Sequence, residues 1–147
     1  MPTISENFNA LLNAVYQAAD ADERFQLANK AWTANNPVGI NLEDVAENRR
    51  KLLFVYKDLA KGGHVGAMFA SAMINASGEA NQEFKRTERP QAEGYEYLKP
   101  VVDITVTNYP DYEEALKWCE LAAKAGHEGA KAVLPRIQKA AGVDPKI

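Results

Sequence analysis

The stretch Asp111–Ala130, DYEEALKWCELAAKAGHEGA, decides the fold because a weaker copy of it occurs earlier in the chain. At an offset of 63 residues, identical residues align in six pairs: Ala60 with Ala123, Lys61 with Lys124, Gly63 with Gly126, His64 with His127, Gly66 with Gly129, and Ala67 with Ala130. Each copy has the pattern of a helix, a glycine-centred turn and a second helix. An internal repeat of this kind predicts an array of stacked helices.

Bulk composition narrows the class of protein further. The 147 residues are enough for one domain, and the net charge of −3 argues against a nucleic-acid partner. Cys119 is the only cysteine, which excludes an intramolecular disulfide and favours a reducing compartment. The first 15 residues carry an acid and no basic segment, so they do not predict a signal peptide, and no apolar run approaches about 18 residues. We expect a cytoplasmic protein with no membrane partner.

Hydrophobic periodicity divides this single domain into two parts. Residues 1–40 predict an N-terminal helix pair, and residues 41–141 predict degenerate repeats interrupted by an insert at 79–110. The second part contains four helices with clear start and stop signals, at about 41–62, 64–77, 112–125 and 128–141.

The insert is the hardest segment to interpret. Its polar first part, 79–89, has Phe84 as its one apolar residue and predicts an exposed loop. The β-branched run Val101–Val106 is compatible with a strand. However, residues 98, 101, 102, 105 and 106 fall on one helical stripe, and no complementary strand is evident elsewhere. A helix over Leu98–Val106 is therefore predicted, and the fold class becomes all-α with about seven helices.

Residues 111–130 also resemble the Sel-one-like repeat family, which is related to the tetratricopeptide repeats. The family's pattern of an acid, alanines, a tryptophan and a glycine is met here at Asp111, Ala115, Trp118, Ala122-Ala123 and Gly126, with Ala130 in the next helix. A degenerate copy covers 48–78, where Leu52, Val55, Leu59-Ala60 and Gly63 hold the matching places. The resemblance implies a short, irregular α-solenoid of antiparallel helix pairs that serves as a non-enzymatic adaptor for protein partners.

Two physical expectations accompany the resemblance. Small residues allow two helices to approach closely while a large aromatic fills the space between pairs, so Trp118 should be buried. The offset of 63 residues exceeds the period of about 34 that such arrays have, so the unit between Gly78 and Asp111 should be expanded.

The residues that could carry chemistry have simpler structural interpretations. His64 and His127 occupy equivalent turn positions that a repeat would keep apart, so we expect helix-start hydrogen bonds rather than a metal site. Cys119 has no histidine near it in sequence and should be a packed residue. The acid pairs Glu43-Asp44 and Glu113-Glu114 stand at helix starts, where the helix dipole favours negative charge; a catalytic carboxylate pair is the minority interpretation. No catalytic, cofactor-binding or metal-binding residue is predicted.

Binding should instead depend on an exposed face, because a repeat loses its packing consensus most readily where a position points outward. The predicted protein-binding residues combine polar positions of the degenerate helix with aromatic and basic residues of the insert: Ser71, Asn75, Phe84, Lys85, Arg86, Tyr95 and Tyr97. The expected partner is a protein or peptide. One alternative is a bacterial immunity protein that neutralises a toxin. An alternative from another class is a small-ligand binder or enzyme with the insert as a lid.

Overall fold

The structure is a computed structural model that describes residues 3–142, and it is mostly helical with a small two-stranded sheet. The elements in chain order are α1 (Ile4–Gln17), α2 (Ala21–Ala34), α3 (Leu42–Lys61), α4 (Val65–Ser77), β1 (Gln82–Glu88), β2 (Val102–Asn108), α5 (Tyr112–Lys124) and α6 (Glu128–Ala140). None of the described helices has the length and apolar character needed to cross a membrane.

The six helices begin where the sequence supplies a side chain that can accept a hydrogen bond from the first turn. In each case the residue before the helix accepts from the backbone N–H three positions later; these residues are Thr3, Asp20, Asn41, His64, Asp111 and His127. Each contact satisfies one of the amide groups that a helix start leaves unpaired, and such a cap contributes about 1 kcal/mol.

Each helix packs mainly against the helices that precede and follow it in the chain, and α4 also touches α6. The buried side chains form one cluster that includes Phe8 of α1, Leu52 of α3 and Trp118 of α5. Only 4% of the Trp118 surface is exposed, which confirms the prediction that this residue is buried.

The insert is a β-hairpin, so the predictions of an all-α fold with seven helices, of a helix over Leu98–Val106 and of a loop over 79–89 are wrong. β1 and β2 pair antiparallel, with Phe84 opposite Val106 and Arg86 opposite Ile104. The helical stripe in 98–106 was a coincidence of spacing. The alternation of apolar and polar residues in Val102–Asn108 is the signal that the fold follows, because it gives one face of a strand an apolar surface.

The hairpin leaves the helical stack and returns to it at one point, next to Gly78. The N–H of Tyr109 donates to the carbonyl of Asn81 at 2.9 Å, and the N–H of Asp111 donates to the carbonyl of Asn75 at 2.9 Å. Gly78 has φ +73°, which ends α4 in a left-handed conformation beside the backbone of Tyr109 and Pro110. The end of α4 therefore meets the start of α5, and the two helices pack antiparallel despite the long insertion between them.

Candidate binding surface

Two of the predicted binding residues, Ser71 and Asn75, lie inside the protein. Ser71 is 0% exposed and Asn75 is 8% exposed. The Asn75 amide donates to the Ser71 carbonyl at 2.8 Å, and the Asn75 carbonyl accepts from Asp111. The prediction that these positions face outward is therefore wrong. Their departure from an apolar pattern reflects a buried polar connection between α4 and α5, not exposure to a partner.

The predicted residues in β1 divide between the two faces of the hairpin, because side chains alternate along a strand. Lys85 lies on a polar face, whereas Phe84 and Arg86 lie on the other. The second face carries the apolar hairpin face, which we define as Phe84, Val102, Ile104 and Val106. Phe84 is half-buried, and the three β2 members remain 41–44% exposed. None of the four belongs to the helical core among the described residues.

Charged and polar side chains hold this side of the hairpin near the start of α3. Arg86 pairs with Glu43, and Arg49 donates to the Gln82 side-chain amide oxygen at 3.3 Å. The Arg49 guanidinium also lies 5.9 Å from the centre of the Trp32 ring. Arg49 thus connects the hairpin to an aromatic residue of α2.

Tyr95 and Tyr97 occupy the loop between β1 and β2, at the end of the hairpin that lies farthest along the strands from the helices. Their rings are 6.5 Å apart, and both side chains are exposed. The seven predicted residues are therefore distributed over the interior, two hairpin faces and a distal loop, and they do not form one surface.

A cavity that the sequence did not predict lies at the base of the hairpin. Its volume is about 340 Å³, and its walls come from α2, α3, α4 and the start of the insert. The lining residues are Trp32, Tyr56, Ala70, Met73, Ile74, Ser77 and Glu79. Met73 is 40% exposed although methionine favours a core, and this exposed apolar residue is the feature that marks the site.

One wall of this cavity is made rigid by a hydrogen bond between α3 and α2. The Tyr56 hydroxyl donates to the Asn29 side-chain oxygen at 2.7 Å. Burial raises the pKa of Tyr56 well above its ordinary value, so the phenol is neutral at physiological pH. The cavity is consequently an apolar site with fixed walls rather than a site of acid–base chemistry.

The two histidines have the structural role that was predicted for them. The Nδ1 atoms of His64 and His127 each accept from a backbone N–H at 3.1 Å, and the rings pack against Phe25 and Phe69. Because Nδ1 accepts, the ring proton of His64 is on Nε2, which donates to Asp22 at 2.8 Å. Within residues 3–142, no group of three or more His, Cys, Asp or Glu side chains could hold a metal ion.

Cys119 is expected to react slowly with thiol reagents in the folded protein. Burial, with a smaller effect of Glu120, raises the pKa of the thiol, and its Sγ donates to the Ala130 carbonyl at 3.4 Å. A raised pKa lowers the thiolate fraction at any given pH, and the thiolate is the reactive form. We expect labelling by a chromogenic disulfide at pH 7.5 to be at least about tenfold slower in buffer than in denaturing urea. Equal rates would show that Cys119 is an accessible nucleophile.

Comparison with known proteins adds no relative to this description. No family model matches the chain, and no curated protein or solved structure matches it. The class of protein that the fold defines is a helical protein with an inserted hairpin and an apolar cavity at the hairpin base.

Proposed function

We propose that the protein is a non-enzymatic protein-interaction module that binds a protein or peptide partner through an apolar anchor. One observation carries the proposal: the apolar cavity at the hairpin base lies beside a hairpin whose apolar face is outside the helical core. Partners commonly insert a bulky side chain into such a pocket and cover the surrounding apolar surface. Arg49, which contacts both Trp32 and Gln82, would align the two parts of this surface.

An α-solenoid of the Sel-one-like type is the architecture we propose for this module. The 29 residues from Asn81 through Tyr109 leave and return at one point, and subtracting them from the offset of 63 leaves 34. That value equals the period of tetratricopeptide arrays. The pairs α3–α4 and α5–α6 also share one turn chemistry, a glycine with positive φ followed by a capping histidine whose ring packs on a phenylalanine.

The absence of catalysis and a cytoplasmic location are also part of the proposal. The groups with resolved pKa shifts are Tyr56, Tyr109 and Cys119, and each has its pKa raised. A raised pKa keeps each group protonated at neutral pH, whereas a nucleophile or base needs the deprotonated form. A single cysteine that is buried and free agrees with a reducing compartment.

A small-ligand binder is the second candidate, and the size of the cavity favours it. A volume of about 340 Å³ lies at the lower end of the range that small-molecule pockets occupy. The apolar lining predicts an uncharged, hydrophobic ligand. In this alternative the same cavity binds the ligand, and the exposed apolar hairpin face has no assigned role.

Selection from a random peptide library displayed on phage tests the proposal and separates the two candidates. Met73→Glu places a charge at the cavity mouth, where the side chain is exposed enough to keep the fold intact. Phe54→Glu is the matched control, because Phe54 is 75% exposed and lines a different part of the surface. Peptides selected on the wild type should contain bulky apolar residues, bind the Phe54→Glu variant normally, and bind the Met73→Glu variant at least about tenfold more weakly.

Two results would contradict the proposal. Peptides that bind the Met73→Glu variant as tightly as the wild type would place the site elsewhere. Failure to select any peptide, combined with saturable binding of small hydrophobic compounds that Met73→Glu abolishes, would favour the small-ligand alternative.

A further inference from the structure

The hairpin has less support than an isolated two-stranded sheet needs. In the described part of the chain neither strand packs extensively on a helix, and the specific contacts to α3 are those of Arg86 with Glu43 and of Arg49 with Gln82. A two-stranded hairpin is marginal in water, whereas three or more strands with an apolar face are stable. The strand that would complete this sheet is therefore a missing element of the structure.

The pairing register shows which backbone groups such a strand could use. Arg89 donates to the carbonyl of Val101, and Tyr109 donates to the carbonyl of Asn81, so the odd-numbered residues of the two strands face each other as hydrogen-bonded pairs. Asp103, Thr105 and Thr107 consequently direct their N–H and C=O groups toward β1. The even-numbered residues Val102, Ile104 and Val106 direct theirs toward the outer edge of β2.

The two edges of the hairpin differ in how strongly they oppose a further strand. β1 contains four charged residues in seven, namely Glu83, Lys85, Arg86 and Glu88, and such charges protect an edge from pairing. β2 contains one, Asp103, and that carboxylate already accepts from the Arg89 side chain at 2.8 Å. β2 also contains no proline and no lysine. The outer edge of β2 is the one open to pairing.

We propose that the outer edge of β2 is a dimer interface, at which β2 of one copy pairs antiparallel with β2 of a second copy. A two-fold axis at Ile104 places Ile104 opposite itself and Val102 opposite Val106 of the second copy. All three are hydrogen-bonded pairs that use the outward-facing groups. The result is a four-stranded sheet in which the apolar faces of both hairpins are continuous.

Charge complementarity identifies a second copy as the occupant. In this register Asp103 faces Thr105 of the second copy, so a hydroxyl that can donate stands opposite the carboxylate and no like charges meet. Alternating apolar residues, few charges and no proline are what the β2 edge requires of an added strand, and β2 itself meets these requirements. Antiparallel pairing also places the two helical bodies at opposite ends of the sheet, where they do not collide.

Sedimentation velocity on the full chain measures the dimer, together with amide hydrogen exchange. Seven-residue strands bury less surface than a standard interface of about 1,600 Å², so we expect a dimer that dissociates on dilution in the range of about 1–100 µM. The amides of Val102, Ile104 and Val106 should become protected as concentration rises. The amides of Asp103, Thr105 and Thr107 should be equally protected at all concentrations, because they bond within each hairpin.

A matched pair of lysine substitutions tests the register. Ile104→Lys places two like charges opposite each other at the two-fold axis and should weaken dimerisation at least about tenfold. Thr105→Lys adds the same side chain one residue away, opposite Asp103 of the second copy, and should leave dimerisation unchanged or strengthen it. Circular dichroism melts of both variants verify that the helices remain folded.

Three outcomes would overturn the dimer. A wild-type chain that is monomeric at about 500 µM, with rapidly exchanging amides at Val102, Ile104 and Val106, would leave the edge to a strand of some other protein. A dimer that Ile104→Lys does not weaken, or one that protects no β2 edge amide, would have its interface elsewhere. The exchange experiment uses only the wild type, so it decides the matter even if a variant fails to fold. Neither experiment depends on Met73, so this proposal can fail without affecting the proposed cavity function.

Discussion

Replacing Trp118 by alanine should destabilise the protein by about 3–5 kcal/mol, the range for truncating a large aromatic in a core. Trp118 is 4% exposed and belongs to the single buried cluster. Its Nε1 has no hydrogen-bond partner among the described residues, so the substitution leaves no polar group unsatisfied and the loss reports packing. Chemical denaturation followed by circular dichroism measures the free energy of unfolding.

Lys117→Ala is the control for Trp118→Ala. The Lys117 ammonium lies 4.8 Å from the centre of the Trp118 ring, on the exposed side of α5. Removing this cation should cost no more than about 1 kcal/mol, because exposed cation–π contacts are weak. If Trp118→Ala costs less than about 1 kcal/mol, the large buried aromatic is not a core element and the packing described for α5 is incorrect.

Gly78→Ala should be almost as damaging, with a loss of about 2–5 kcal/mol. A methyl group at this position would lie 2.7 Å from the Pro110 nitrogen and 2.8 Å from the Tyr109 carbonyl carbon, which are backbone atoms that cannot move independently. The left-handed conformation costs roughly 1–2 kcal/mol for an L-residue, and overpacking adds roughly 1–3 kcal/mol. The same urea or guanidinium titration measures this loss.

Gly63→Ala separates the two causes of the Gly78 effect. Gly63 also has positive φ, +96°, but an added methyl group there meets nothing within 4 Å. It should therefore show the conformational cost alone, about 1–2 kcal/mol. Equal losses for the two variants would mean that the chain does not return closely past Gly78, and that the hairpin base is more open than described.

The helical part of the fold was predictable because its signals are local. The spacing of Phe8, Leu12 and Val15 defines one face of α1, and Asn41 or Asp111 ends a loop with a side chain that can cap the next helix. Burial of Trp118 followed from its place between small residues. Each of these features depends on residues within a few positions of one another, so a single pass along the chain contains the information.

The hairpin and the candidate site were not predictable by the same reasoning. β1 has one apolar residue, Phe84, and resembles a loop until β2 pairs with it, 14 residues after β1 ends. Ser71 and Asn75 looked exposed because they are polar, yet Asn75 is bonded to Ser71 and to Asp111, which is distant in sequence. Met73 and Trp32 become one cavity only when α2 and α4 meet.

The sequence alone determined the helix pairs, the turn chemistry of the two histidines and the existence of an expansion between Gly78 and Asp111. Tertiary structure alone decided that this expansion is a hairpin, that its apolar face lies outside the helical core and that a cavity forms at its base. The physical reason is the range of the interactions. Helix hydrogen bonds and caps join residues at most about four positions apart, whereas strand pairing and cavity walls join segments whose separation in the chain carries no local signal.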